Sequence, residues 1–131
     1  MENTWKYIKP LDDPAAVKSF LKAYNVVLPH KLIESIEQFN GGRPSEKQII
    51  TSSKREYVFK SMLSYNAKDK ETIYSVFPEL FKGTDLFPFA SDAAGNFICY
   101  DLTLKRCVLL NHESNLAETI TENFLEEFTP Q

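Results

Sequence analysis

The clearest structural signal in the chain is the stretch Phe87-Pro-Phe-Ala-Ser-Asp-Ala-Ala-Gly-Asn-Phe-Ile-Cys-Tyr-Asp-Leu102, in which two apolar runs flank a polar turn. Both runs are rich in aromatic and branched residues, which are typical of half-buried β-strands. The turn contains Ser91, Asp92, Gly95 and Asn96, residue types that accept left-handed backbone angles or bond their own backbone. The stretch therefore predicts a strand, a tight connection and a second strand.

Two helices are predicted on the N-terminal side of this hairpin. Asp13-Pro14 is typical of a helix start, because a capping side chain precedes a proline that needs no amide partner. Apolar residues then recur at helical spacing over residues 17–24. A second helix begins after Leu28-Pro29 and ends at Asn40-Gly41-Gly42, where glycine allows a left-handed cap.

The remaining pattern alternates between extended and helical segments. We expect a strand at 48–51, an extended segment at 57–65, a helix at 69–77, a strand at 106–111 and a helix at 119–128. Met62 and Ser64 fall on the more exposed side of the extended segment, and Pro78 weakens the end of the third helix, whose Leu80 faces inward. Connections between the late strands are too short for parallel crossovers, so the prediction is an α+β fold with an antiparallel sheet.

Size and composition favour one soluble domain over residues 1–131. The chain is 43% hydrophobic, enough for a core, and its formal net charge is −3, which disfavours a general nucleic-acid binder. The sequence shows no apolar signal core and no membrane-length run, so we expect a cytoplasmic protein. Cys99 and Cys107 are expected to be buried free thiols; a disulfide would need a register that places them opposite each other.

Signatures of catalysis and of metal binding fail one at a time. His112-Glu113 begins like a zinc-protease helix, but Leu116 occupies the position of the second ligand. Asp92 is the only carboxylate in its turn, too few for a calcium loop, so we expect it to bond turn amides. We expect no catalytic residue, no cofactor and no metal. An enzyme that uses His112 and Glu113 stays an alternative, which a deep pocket joining His112 to Asp92 or Cys99 would favour.

A group of carboxylates is the one surface feature with a functional interpretation. Glu118, Glu122 and Glu126 recur every four residues and would stack along one face of the last predicted helix, with Glu113 nearby. That helix contains no lysine or arginine to neutralise them. The group is either a solvated face or a docking surface for a positively charged partner.

An ordered set of fragments resembles the SUKH superfamily, which includes the Smi/Knr cell-wall regulators of yeast and many small bacterial proteins. The fragments are Trp5, Leu28-Pro29, Asn40-Gly41-Gly42-x-Pro44, Pro88-Phe89-Ala90-x-Asp92-x-x-Gly95-Asn96-x-x-Cys99-x-Asp101, Val108 to His112-Glu113, and Asn123-Phe124-Leu125. Each fragment alone is weak, whereas their order over nearly the whole chain is fairly specific.

The resemblance implies a bent antiparallel sheet with an N-terminal helix pair and a C-terminal helix. It also implies a bacterial immunity protein of a polymorphic toxin system, which binds a cognate toxin protein, often a nuclease domain, and blocks it. Contact with nucleic acid or membrane is not expected, and the protein is expected to be a monomer or weak dimer. A regulatory scaffold of the Smi/Knr type is the alternative function. The motif residues carried over are interpreted as fold-setting caps and turns: Trp5, Asn40, Gly41, Gly42, Asp92, Gly95 and Asn96.

Overall fold

The fold combines helices with antiparallel strands, as the sequence predicts. A computed structural model describes residues 4–45 and 48–120. Within these residues the helices are α1 (Ala16–Ala23), α2 (His30–Gln38) and α3 (Ile73–Leu80). The strands are β1 (Trp5–Lys6), β2 (Arg43–Pro44), β3 (Gln48–Ile50), β4 (Glu56–Met62), β5 (Leu86–Asp92), β6 (Phe97–Asp101), β7 (Arg106–Leu110) and β8 (Ala117–Thr119).

Strands β3 to β8 form one antiparallel sheet in which every strand pairs with its neighbours in sequence. The sheet curls until its two ends meet. Thr51, just after β3, forms an antiparallel bridge with Ile120, just after β8, and the Ser52 amide donates to the Thr119 carbonyl at 2.7 Å. Strands β1 and β2 form a separate two-stranded ribbon. The bent antiparallel sheet expected from the resemblance is confirmed.

The predicted hairpin is formed by β5 and β6, with a register shift between Pro88 and Ala90. In the next pairing, Cys99 lies opposite Val108, and Cys107 lies opposite Tyr100. Directly opposed residues share a face and adjacent residues alternate, so the two thiols point to opposite faces of the sheet. Both cysteines are free and buried, as expected from the sequence.

The core is held together by a cluster of aromatic rings around Phe20 on α1. The Phe20 ring contacts Tyr65 at a centroid distance of 5.7 Å, Phe77 of α3 at 5.5 Å and Phe87 of β5 at 6.3 Å. Edge-to-face contacts at these distances are favourable for aromatic pairs. This one side chain therefore anchors α1 to the sheet and to α3.

The prediction for the third helix is wrong at both ends. The helix begins four residues later than expected, because the Thr72 hydroxyl caps it by accepting a hydrogen bond from the Ser75 amide at 3.3 Å. It continues through Pro78 to Leu80, although a proline inside a helix removes one backbone hydrogen bond. Leu80 is exposed rather than inward-facing.

Two other predictions differ from the structure. Met62 and Ser64 are buried together with Leu63 and Tyr65, so both sides of the chain are covered beyond the register shift between Phe59 and Ser61. Thr119 lies in a strand, not at a helix start. The rest of the helix predicted at 119–128 lies outside the described residues, apart from Ile120, which forms the sheet bridge.

Candidate functional site

Asn40 is the centre of a buried hydrogen-bond network behind the end of α2. Its amide nitrogen donates to the Lys9 carbonyl at 2.8 Å and to the Ser64 hydroxyl at 3.2 Å. Its side-chain oxygen accepts from the Tyr65 amide at 2.7 Å. The side chain is fully buried, so these partners satisfy groups that water does not reach. The residue ties the N-terminal segment to the segment that follows β4.

Two glycines next to Asn40 allow close packing. Gly41 has a φ of +68°, and a Cβ at this position would lie 3.1 Å from the Lys9 side chain. At Gly42 a Cβ would lie 3.1 Å from Ile8 and 3.3 Å from the Trp5 ring. That ring stacks on Phe39 with centroids 4.4 Å apart and planes inclined by 4°. The glycines thus make room for Lys9 and for the indole.

The turn between β5 and β6 is organised by Asp92. Its carboxylate accepts from the Ala94 amide at 3.0 Å, from the Asn96 amide at 2.7 Å and from the Asn96 side chain at 2.9 Å. Gly95 has a φ of +87°. The expected bonding of turn amides is confirmed.

His112 is held by the same turn. The Asn96 side-chain oxygen accepts from the His112 amide at 3.0 Å and lies 2.8 Å from the imidazole Nδ1. Asn96 is buried and stands between Asp92 and the imidazole. Asp92 lines a cleft of about 380 Å³ beside Lys60 and Phe97, but His112 does not line that cleft. That cleft therefore does not join Asp92 to the imidazole.

The four carboxylates of the predicted docking surface are not all equivalent. Glu113 lies in the turn after β7, with a side chain that is 84% exposed. Glu118 lies on β8 rather than on a helix, and its side chain is only 18% exposed. Glu122 and Glu126 lie outside the described residues. The expectation that Glu118 stacks on a helix face is therefore wrong.

Glu118 is instead engaged by the start of β4 and the turn before it. It accepts hydrogen bonds from the Tyr57 hydroxyl at 2.7 Å, from the Thr51 hydroxyl at 3.1 Å and from the Ser53 hydroxyl, while Arg55 Nη1 lies 3.9 Å away. The bonds from Ser53 and Tyr57 lower the pKa of this carboxyl group. Glu118 thus fastens the first strands of the sheet to the last one.

A cationic cleft that the sequence did not predict lies beside the two-stranded ribbon. It has a volume of about 470 Å³. Four cations and one carboxylate line it, together with Tyr7: Lys9, Arg43, Lys60, Lys70 and Glu71. Only Arg43 falls within a sequence motif, at the variable position of Asn40-Gly41-Gly42-x-Pro44, and the set lies on four separate segments that only the fold brings together.

The carboxylate in this cleft is already partnered. Glu71 forms an ion pair with Lys60 and accepts a hydrogen bond from the Ser91 hydroxyl at 3.1 Å. Burial raises the pKa of Glu71, but the bonds from Lys60 and Ser91 and the charges of Lys60 and Arg43 outweigh it, so the pKa is lowered. Glu71 therefore stays ionised and neutralises Lys60, which leaves the other cations of the cleft for a ligand.

Comparison with models of protein families gives a match over most of the chain. The model of a family described as SMI1-KNR4 cell-wall, SUKH_6, matches residues 15–128. The chain belongs to the SUKH family. The searches of curated proteins and of solved structures found no match.

The SUKH match covers every motif residue except Trp5, which precedes it. Inside the match, the side chains of the motif residues Asn40 and Asp92 each form three hydrogen bonds within the molecule. Within residues 4–45 and 48–120, no three side chains of His, Cys, Asp and Glu are grouped so that they could hold a metal ion. No helix in that same part of the chain is long and apolar enough to cross a membrane.

Proposed function

We propose that this SUKH protein is a non-catalytic immunity protein of the cytoplasm, which binds a cognate toxin protein and blocks it. The family match is the observation that carries the proposal. The geometry supports it, because the side chains of the motif residues Asn40, Asp92 and Asn96 form their hydrogen bonds with other groups inside the molecule. Asn40, Asp92 and Asn96 are all buried, so recognition falls to the residues around them. We infer that the motif residues set the fold.

The proposed interaction needs no reacting group on this chain. A protein inhibitor acts by covering a functional surface of its partner, and charge complementarity raises the association rate and sets the orientation. Of the four predicted docking carboxylates, Glu113 lies among the described residues and has an exposed side chain. We propose that Glu122 and Glu126 contribute to the same contact. We assign Glu118 mainly to the closure of the sheet. The protein acts as a single domain, as a monomer or weak dimer.

Co-expression tests this function directly. The toxin domain encoded beside this chain, with a nuclease as the expected class, is expressed from a tight promoter with and without the immunity protein. We expect growth to be rescued and the two proteins to co-purify. Asp92→Ala, which removes the three hydrogen bonds at the centre of the β5–β6 turn, serves as a destabilised control. Absence of both rescue and a complex with the wild-type chain would refute the proposal.

A further inference from the structure

The cationic cleft carries charge of the opposite sign to the protein as a whole. The chain has a formal net charge of −3, yet the cleft wall combines Lys9, Arg43, Lys60 and Lys70 with the single carboxylate of Glu71. Among the described residues, the ion pairs include Lys60 but none of the other three cations. Like charges gathered in a cleft repel one another, so an anionic ligand would relieve a cost that the free protein bears.

The rim of the cleft is preorganised. Tyr7 has a φ of +60°, an angle uncommon outside glycine, and its side chain is 71% exposed. The guanidinium of Arg43 lies over the Tyr7 ring, 5.8 Å from its centroid. Such a contact restricts the arginine side chain while its N–H groups remain able to bind carboxylate oxygens. The uncommon backbone angle therefore occurs at Tyr7, the residue whose ring positions the Arg43 guanidinium at the rim of the cleft.

Gly41 contributes to the same preorganisation from the other wall. Because it has no Cβ, the methylene stem of Lys9 packs against it, with the Lys9 Cδ 3.1 Å from where a Cβ would lie. Long lysine side chains commonly lay their stems along the protein and keep the ammonium in water. The family glycine thus directs one of the cleft cations as well as ending α2.

The surroundings favour carboxylates over phosphates. Many phosphate sites use backbone amides at a helix N-terminus, whereas this cleft lies next to Gly41, just beyond the C-terminal end of α2, so the side-chain cations must supply its attraction for any anion. The donors here are long side chains, and an exposed tyrosine and an arginine lie together at the rim. Those two residue types are enriched at protein interfaces.

We propose that this cleft receives an acidic segment of the partner protein, whose carboxylates bind Arg43, Lys9 and Lys70. The inference rests on the proposed function, since it assigns a second surface, besides the Glu113 region, by which the same partner is held. Lys60 remains paired with Glu71, so it shapes the cleft and adds little attraction. Tyr7 supplies an apolar contact for the stems of the acidic side chains.

A titration followed by nuclear magnetic resonance tests the site without the partner. The probe is a blocked tetraglutamate peptide, and the matched ligand is blocked tetraglutamine. We expect tetraglutamate to shift the amide signals of Tyr7, Arg43 and Lys70 in a saturable and salt-sensitive way, and tetraglutamine to leave them in place. The double variant Arg43→Gln/Lys70→Gln should lose about tenfold or more in affinity. Lys18→Gln, which removes a lysine from the exposed face of α1, should bind as the wild type does.

Three results would overturn the cleft assignment. These are equal binding of tetraglutamine, unchanged affinity in the folded double variant, or displacement of the peptide by pyrophosphate or a single-stranded oligonucleotide at much lower concentration. Co-expression then separates this inference from the proposed function. If Arg43→Glu/Lys70→Glu protects against the toxin as well as the wild type, the cleft assignment fails and the immunity function stands. If the wild type itself fails to protect, the immunity function fails.

Discussion

The Tyr57 hydroxyl donates a hydrogen bond of 2.7 Å to the Glu118 carboxylate, and so joins β4 to β8 across 61 positions of sequence. The bond raises the pKa of Tyr57, while the bonds from Ser53 and Tyr57 lower that of Glu118. Both shifts favour the neutral phenol next to the ionised carboxylate. The pair acts where the curled sheet closes, which makes it the natural target for the first test.

We predict that Glu118→Gln lowers the free energy of unfolding by about 1–3 kcal/mol, because several hydroxyl groups lose a charged acceptor. Urea denaturation measures the change. Glu113→Gln makes the same substitution on a side chain that is 84% exposed, and it should leave stability within about 0.5 kcal/mol of the wild type. Equal effects of the two substitutions would contradict the assigned role of Glu118.

Stability should depend on pH through this carboxylate. Its folded pKa is lowered from an ordinary value of 4.5, so its stabilising contribution is complete above that value and is lost as the pH falls through the folded pKa. The difference in unfolding free energy between the wild type and Glu118→Gln should therefore shrink below about pH 4.5. Denaturation curves at a series of pH values measure this difference. A gap that stays constant down to pH 3 would count against the ionised network.

Asn40→Asp tests the network at the end of α2. The substitution keeps an acceptor for the Tyr65 amide but removes the donors to Lys9 and Ser64 and puts a carboxylate beside the Lys9 carbonyl. We expect a loss of about 2–4 kcal/mol. Gln38→Glu makes the same amide-to-acid change on an exposed position of α2 and should be nearly neutral. Thermal unfolding of both variants at neutral pH gives the comparison.

Gly42→Ala should disturb the packing of the only tryptophan, since a Cβ would lie 3.3 Å from the Trp5 ring and 3.0 Å from the Phe39 carbonyl. We expect a shift in tryptophan emission together with a loss of stability. Gly83→Ala is the control: its φ of +84° makes alanine unfavourable by about 1 kcal/mol, but no atom lies within 4 Å of the added Cβ. Its emission spectrum should match that of the wild type.

The two cysteines should react only when the protein opens. Burial raises the pKa of both thiols, that of Cys107 to about 12, so little thiolate is available for reaction. They also point to opposite faces of the sheet. We predict slow labelling by a thiol reagent, with rates that rise in denaturant, and no intramolecular disulfide under mild oxidation. Rapid native labelling would show that the β6–β7 region is open.

Local signals were enough to predict the first two helices, the hairpin and the fold class. The Asp92 turn and the glycine cap after α2 are each formed by residues that lie close together in the chain, so both can be recognised from the sequence. Met62 and Ser64 were misplaced because both sides of the chain are covered there, since Leu63 and Tyr65 on the alternate side are buried as well. The strands β1, β2 and β8 are only two or three residues long, too short for an alternating pattern to be detected in the sequence.

Contacts between distant segments were beyond the reach of sequence patterns. Glu118 looks like a free surface charge in the sequence, because its hydroxyl partners lie more than 60 positions away. The cations at Lys9, Arg43 and Lys70 are ordinary surface residues until the fold brings them together. Spacing along one element predicts that element alone, whereas these sites depend on how separate elements pack.

The closure of the sheet has a consequence for how the molecule loosens. In the described chain its two ends are joined by the Thr51–Ile120 bridge, the Ser52–Thr119 bond and the Glu118 network, not by a full ladder. These ends can part while every neighbouring pair of strands stays intact, so this opening requires less free energy than global unfolding. We therefore expect the curled sheet to open first where β3 and β8 meet, and protonation of Glu118 to weaken the hydrogen bonds that hold these two ends together.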